Sequence, residues 1–106
     1  MDKISASHIL IMHSESRDSR SDLSKGDAKK LIDEIFKSLT EDKANFRDLA
    51  SKHSDCSSAS SGGSLGEFGK GMMVKSFEEC AFNLDVEEIS EPIETEFGFH
   101  VIKRDK

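Results

Sequence analysis

Two histidines near opposite ends of this 106-residue chain each lie in a strand-like apolar run. His8 is followed by Ile-Leu-Ile, and His100 is followed by Val-Ile. An imidazole on a half-buried strand is costly unless it has a hydrogen-bond partner. If the first and last strands pair in the middle of one sheet, the two rings can be each other's partner, and Cys56 could close over them. These three residues form the candidate active centre.

A thiol beside imidazoles could act as a nucleophile, as a charged group that polarises a substrate, or as a metal ligand. His53 lies three residues before Cys56 and could share a helix face with it, but zinc needs more ligands in convergent geometry. His8 and His13 are an odd number of residues apart, so on a regular strand they point to opposite faces. We therefore expect neither a metal site nor a cofactor, and a thiol hydrolase is a minor alternative.

The composition predicts one globular domain over residues 1–106. Hydrophobic residues make up 35% of the chain and charged residues 34%, with a single proline, so neither disorder nor a membrane span is expected. A net charge of −6 disfavours a nucleic-acid binder. Cys56 and Cys80 are too far apart for a redox pair and too few for a disulfide framework. We expect a monomer of the cytoplasm that could also enter the nucleus, without a signal peptide.

Hydrophobic spacing predicts an α+β domain with an antiparallel sheet. Ser24 and Asn45 are good helix N-caps, and each precedes a helix-spaced apolar pattern. The predicted elements are a strand over 4–13, a helix to about 39, a short helix ending near 54, a loop over 57–71 with a strand around 66–68, a helix over 74–84, and a hairpin of strands 89–95 and 99–104.

Several fragments, taken together and in this order, resemble the parvulin family of peptidyl-prolyl cis/trans isomerases. They are His8-Ile9-Leu10, Phe46-Arg47-Asp48-Leu49-Ala50 with Ser54-Asp55-Cys56, Gly62-Gly63-Ser64-Leu65-Gly66-Glu67-Phe68, Met73, Phe77-Glu78, and Phe97-Gly98-Phe99-His100-Val101-Ile102. The match runs from about residue 4 to residue 104. It implies a four-stranded antiparallel sheet wrapped by about four helices, with prolyl isomerisation in a surface groove. We expect a stand-alone catalytic domain without a WW domain.

The resemblance also implies roles for individual residues. Leu65, Met73 and Phe77 match the proline pocket of the family. His8, Thr95 and His100 match its hydrogen-bond network around the site, and Cys56 matches the polar group beside the substrate amide. Each of these residues also has a plainer interpretation, as part of the core or as a structural histidine.

Chemistry from first principles fits that activity. Rotation about a peptide bond has a barrier of about 18–20 kcal/mol because resonance makes the C–N bond partly double. A catalyst must prefer the twisted state over either planar form. Cys56 could act as a thiolate that opposes the carbonyl oxygen or as a neutral thiol that donates weakly to it. Covalent attack is the least favoured alternative, because other parvulins carry Asp at this position.

One branch of parvulins recognises a phosphate before the proline through a basic triad. The matching positions here are Met12, Arg17 and Asp18, so one cation of the triad is kept. Arg20 could replace a missing cation, and Phe97 is more typical of members that accept unphosphorylated peptides. We expect proline-containing peptides or proteins as partners, with Arg17 and Arg20 as candidate phosphate-binding residues and only a modest phosphate preference.

A proline-peptide binding or chaperone module with little turnover is the alternative from another class. Such a module would need the proline pocket but neither Cys56 nor the two histidines. Because the chain keeps all of them, we favour the enzyme.

Overall fold

The computed structural model describes residues 3–16 and 21–106. Its elements in chain order are β1 (Lys3–Ile11), α1 (Lys25–Thr40), α2 (Phe46–His53), a 3-10 helix (Ser57–Ser61), β2 (Ser64–Gly69), α3 (Lys75–Asn83), β3 (Ile93–Thr95) and β4 (Gly98–Arg104). The predicted fold class, an antiparallel sheet wrapped by helices, is confirmed.

The four strands form one antiparallel sheet in the order β2-β1-β4-β3. The first and last strands therefore pair in the centre of the sheet, as predicted. In their register His8 lies opposite Ile102, and Leu10 lies opposite His100. His8 and His100 are thus diagonal neighbours on the same face.

Helices cover both faces of the sheet and create two apolar clusters. Helix α1 begins at the Ser24 cap, whose hydroxyl accepts the N–H of Asp27, and α2 begins at the equivalent Asn45 cap. The first cluster contains Ile9, Ile11, Ala28, Ile32, Ile35, Leu39, Phe46, Ala50, Phe99 and Val101. The second contains Ile4, Ala6, Phe68, Phe77, Ala81, Leu84 and Ile102. Because side chains alternate along a strand, His8 falls on the face of the second cluster, beneath α3.

Three predicted boundaries were wrong. Strand β1 ends at Ile11 rather than at residue 13, because the N–H of Met12 donates to the Asp55 carboxylate and not to a neighbouring strand. The segment 57–71 is more regular than predicted, with a 3-10 helix and a six-residue strand. Strand β3 has only three residues, since Pro92 has no N–H to donate, and Ile89 remains as an isolated bridge to Lys103. In the described part of the chain no helix combines the length and apolar character needed to cross a membrane.

Candidate active site

The two strand histidines form a direct pair in the middle of the sheet. Their Nδ1 atoms lie 3.0 Å apart, and the rings stack with planes 20° apart. Both residues are almost fully buried, with exposed fractions of 5% for His8 and 4% for His100. Since one Nδ1 must donate and the other must accept, the position of one proton fixes the tautomers of both rings.

The pair extends into a chain of polar groups. Nε2 of His100 lies 2.7 Å from the hydroxyl of Thr95, which also accepts the N–H of Phe97. At the other end, His8 Nε2 is buried and has no partner of hydrogen-bond geometry among the described residues. If Thr95 donates to His100, then His100 donates to His8, and Nε2 of His8 keeps a hydrogen. The reverse arrangement makes that nitrogen an acceptor.

Burial keeps the His100 ring neutral. It lowers the pKa of His100 to about 3, and the charge on a protonated His8 lowers it further. The pair therefore does not carry two positive charges at neutral pH. His100 can orient its neighbour but does not act as a source of protons near pH 7.

Cys56 is half-buried next to this pair, and its pKa is lowered to about 6. The main cause is the neighbouring His8 imidazole, which favours the thiolate; burial opposes it, and the side chain and backbone of Ser58 add smaller favourable contributions. At pH 7 the sulfur is mostly ionised.

The segment before Cys56 is held against β1 by three hydrogen bonds. The N–H of Leu10 donates to the Ser54 hydroxyl at 3.0 Å, and the N–H of Asp55 donates to the Leu10 carbonyl at 2.7 Å. The N–H of Met12 donates to the Asp55 carboxylate at 2.8 Å. Strand β2 pairs with β1 only as far as Ser7. Beyond that residue, these groups are the hydrogen-bond partners of the β1 backbone on the edge that β2 leaves open. They also fix where the sulfur of Cys56 lies.

Gly63 lets the next loop approach the same strand. Its carbonyl accepts the N–H of His8 at 2.9 Å, and its φ is +88°. A Cβ at this position would lie 2.5 Å from the His8 carbonyl oxygen. Only glycine tolerates both the backbone conformation and the close contact.

An apolar groove of about 440 Å³ opens beside the thiol and the histidine pair. Its lining residues are His8, Leu10, Met12, Asp55, Cys56, Ser57, Leu65, Met73, Val74, Phe77, Phe97 and His100. Phe77 meets both imidazoles edge to face, with centroid distances of 5.4 Å to each. Such a groove can hold a small apolar ring while polar groups reach one side of it. A larger, more polar cleft shares none of these residues.

Comparison with known proteins identifies the family of the chain that forms this groove. Residues 8–106 match the family model described as "Rotamase: PPIC-type PPIASE domain". The chain belongs to this family. It is a peptidyl-prolyl cis/trans isomerase, and the predicted resemblance to parvulins is confirmed.

Two curated relatives and two solved structures illustrate how far the similarity extends. Peptidyl-prolyl cis-trans isomerase Pin1 of Digitalis lanata is 45% identical, with 97% of this chain and 96% of that protein covered. Isomerase pin1 of Schizosaccharomyces pombe is 47% identical, with 96% of this chain covered but only 62% of that protein. ESS1 from Candida albicans superposes with a TM-score of 0.92 at 35% identity, covering 98% of this chain and 63% of that one. The solution structure of TbPIN1 gives 0.88 at 34% identity, covering 99% and 98%.

The isomerase fold brings together seven of the nine candidate site residues. Six of them line the groove: His8, Cys56, Leu65, Met73, Phe77 and His100. Thr95 lies behind it, bonded to His100. The other two, Arg17 and Arg20, lie outside the described residues, so the structure gives no position for either of these candidate phosphate ligands.

The structure adds positions to this isomerase site that the sequence did not single out. Ser54 and Asp55 entered the sequence comparison only as part of a motif, yet they hold the cysteine segment on β1. The sequence could have indicated this role only through the residue types, because serine and aspartate often form hydrogen bonds with backbone groups. The same residue types also occur in ordinary turns. Met12, considered only for its missing charge, lines the groove together with Phe97.

Proposed function

We propose that this isomerase rotates Xaa-Pro bonds without forming a covalent intermediate. The proline ring lies against Leu65, Met73 and Phe77, and the imide lies beside Cys56. The observation that carries this proposal is one apolar groove lined by the Cys56 thiol together with Leu65, Met73 and Phe77. Met73 offers an adaptable surface and Phe77 a flat one, which suits a compact ring.

The thiolate acts on the charge distribution of the imide. In the planar state resonance places negative charge on the carbonyl oxygen, and in the twisted state that charge is reduced. A fixed anion near this oxygen destabilises the planar forms more than the twisted one, so the barrier falls. The groove strengthens the effect because its apolar walls exclude water.

The histidines and Thr95 position the thiolate. His8 lies beside the sulfur and favours its charged form, while the neutral His100 fixes the orientation of His8 through the contact between their Nδ1 atoms. The stacking of both rings against Phe77 leaves little freedom for either imidazole. We assign them to maintaining the site, since a buried ring with a pKa of about 3 is a poor proton carrier at neutral pH.

Turnover in this proposal does not require a phosphate. The described residues of the groove include Asp55 but no lysine or arginine. Arg17 and Arg20, which follow β1 in the sequence, are the candidates for binding an acidic group before the proline. We expect the rates for phosphoSer-Pro and Ser-Pro peptides to differ by no more than about fivefold, which corresponds to one exposed charge pair at its upper limit of about 1 kcal/mol.

We further propose that the chain acts as a single-domain monomer in the cytoplasm or nucleus, where it assists folding or conformational change of proline-containing proteins. Both cysteines are free thiols, which suits a reducing compartment. Sedimentation equilibrium at increasing concentration tests the monomer; a mass that doubles would contradict it.

A comparison of Ser-Pro, phosphoSer-Pro, Glu-Pro and Leu-Pro peptides tests the substrate proposal. Cis/trans exchange is measured by NMR for each at the same enzyme concentration. We expect acceleration of all four. A preference of several hundredfold for phosphoSer-Pro would show that Arg17 and its neighbours rebuild a strong anion site and would overturn the proposal.

A further inference from the structure

One wall of the proline pocket lies outside the regular elements of the fold. Leu65 belongs to β2 and Phe77 to α3, so each takes its position from a strand or a helix. Met73 lies between these elements, in a connection of turns over residues 70–74. It is half-buried and lines the same groove. The place of Met73 in the pocket therefore depends on the contacts that hold this connection.

Glu78 holds the connection from α3. Its Oε1 atom accepts the N–H of Gly71 at 2.5 Å. A second contact comes from the same helix, since the ammonium group of Lys70 lies 5.5 Å from the centre of the Phe82 ring. A hydrogen bond to a carboxylate is stronger than one between neutral groups, so we expect the bond from Gly71 to Glu78 to be the more important of the two.

The other surroundings of Glu78 do not give it a different role. Within the described part of the chain, Glu78 forms no ion pair and does not line the groove. At Gly71 φ is +90°, and a Cβ there would meet no atom within 4 Å, so this glycine serves the backbone conformation of the turn. Because Glu78 directly follows Phe77, one turn of α3 supplies a wall of the pocket and also the acceptor that fixes the connection.

We infer that Glu78 is a positioning residue that keeps Met73 in the proline pocket by fixing the backbone at Gly71. The inference rests on the proposed function, which places the proline ring against Met73. If the connection is in place for only a fraction of the time, the apparent affinity for substrate falls by that fraction. Separate hydrogen bonds to β1 hold the segment that carries Cys56, so loss of Glu78 should affect substrate binding far more than the turnover of bound substrate.

Three substitutions of Glu78 separate the reach of the side chain from its charge. Glu78→Ala removes the acceptor, Glu78→Asp keeps the charge but is one methylene shorter, and Glu78→Gln keeps an acceptor oxygen at full reach. For a Leu-Pro peptide we expect the first two to raise KM by about fivefold, the effect of one hydrogen bond, with kcat nearly unchanged. Glu78→Gln should recover most of the wild-type KM. Wild-type KM values for both the alanine and the aspartate variants would overturn the inference.

Glu79→Ala is the matched control on the same helix. The Glu79 side chain is 60% exposed and lies 3.9 Å from the Lys75 ammonium group, so its loss should leave KM at the wild-type value. Amide hydrogen exchange adds a readout that does not depend on activity. The Gly71 amide should exchange slowly in the wild type and in Glu79→Ala but rapidly in Glu78→Ala. Equal exchange in all three proteins would overturn the inference. If Glu78→Ala does not fold, Glu78→Asp takes its place in both measurements.

Met73→Ala shows whether Glu78 acts through Met73. If it does, the variant with both Glu78→Ala and Met73→Ala should have the same KM as Met73→Ala alone. Additive increases in KM would mean that Glu78 acts elsewhere and would overturn the inference, while the proposed pocket would stand. A wild-type KM for folded Met73→Ala would instead overturn the proposed pocket, and the inference with it.

Discussion

The Nδ1 atoms of His8 and His100 lie 3.0 Å apart although the residues are 92 positions apart in the chain. The contact exists because β1 and β4 pair in the centre of the sheet and place the rings diagonally on one face. Both rings are buried away from water, so each Nδ1 atom has the other as its hydrogen-bond partner. The remaining nitrogen of His100 lies 2.7 Å from the Thr95 hydroxyl, whereas the remaining nitrogen of His8 has no hydrogen-bond partner among the described residues.

The first prediction concerns the pH dependence of catalysis. The pKa of Cys56 is about 6, below its usual value, so the thiolate fraction rises as the pH increases through 6. If the thiolate is the active form, kcat/KM should rise with a midpoint near pH 6 and level off above pH 7. Alkylation by iodoacetamide, followed by peptide mass spectrometry, should give the same midpoint for Cys56. Cys80 is an internal control that should react more slowly, because burial raises its pKa.

Substitutions of Cys56 test the origin of that profile. Cys56→Ser removes the ionisable group, so the profile should flatten and activity should fall by about 100-fold, the range for loss of one well-placed electrostatic group. Cys56→Asp restores a negative charge and should retain more activity than the serine variant, with its midpoint shifted below pH 5. A serine variant that keeps the wild-type midpoint would show that another group titrates.

The second prediction concerns stability in acid. His100 has a pKa of about 3 in the folded protein, whereas the ordinary pKa of histidine, 6.5, applies in the unfolded chain. Between these values the unfolded state takes up a proton that the folded state does not, so the free energy of unfolding should fall as the pH drops. The contribution is at most about 1.4 kcal/mol per pH unit and ends below pH 3. Urea unfolding of wild type and His100→Gln from pH 7 to pH 4 measures it. Parallel curves would contradict the assignment.

The third prediction concerns Asp55. Asp55→Ala removes the acceptor for the Met12 N–H, which should cost about 1 kcal/mol of stability and release the segment that carries Cys56. We expect kcat/KM to fall by about fivefold, as a loss of this energy implies, and the pKa of Cys56 to move upward as the thiol leaves His8. Asp55→Asn keeps a side-chain oxygen and should restore most of both properties. Equal behaviour of the two variants would mean that Asp55 does not act through this hydrogen bond.

Much of the fold could be predicted from particular residues. The caps at Ser24 and Asn45, each followed by helix-spaced apolar residues, gave the starts of α1 and α2. The alternation around His8 and His100 predicted their strands and the pairing that brings them together. These features are local, or depend on one strand pairing, so a pattern in the sequence records them.

The parts that could not be predicted depend on contacts between distant segments. Leu10 and Met12 form hydrogen bonds with Ser54 and Asp55 because strand β2 stops pairing with β1 before it reaches them. No local sequence pattern predicts where that pairing stops. The low pKa of Cys56 likewise depends on His8, which is far away in the sequence. The roles of the groove residues came from a family resemblance and stay proposals until substitution tests them.

The fourth prediction concerns the proline pocket. Leu65 is half-buried in the strand after the glycine turn, so Leu65→Ala should remove substrate contact with little effect on folding. We expect KM to rise by about fivefold to tenfold, consistent with partial loss of an apolar contact. Leu23→Ala is a matched control, since Leu23 is 37% exposed and does not line the groove. If both variants behaved alike, the pocket assignment would be wrong.

The most direct test of the central claim is NMR exchange spectroscopy on a Leu-Pro peptide, with wild type and Cys56→Ala at equal catalytic concentrations. Uncatalysed exchange takes tens to hundreds of seconds, so acceleration is easily resolved. The account predicts rapid cis/trans exchange with the wild type, much slower exchange with the variant, and no peptide adduct on Cys56 by mass spectrometry. Peptide binding without faster exchange, full activity of the variant, or a covalent adduct during turnover would contradict it.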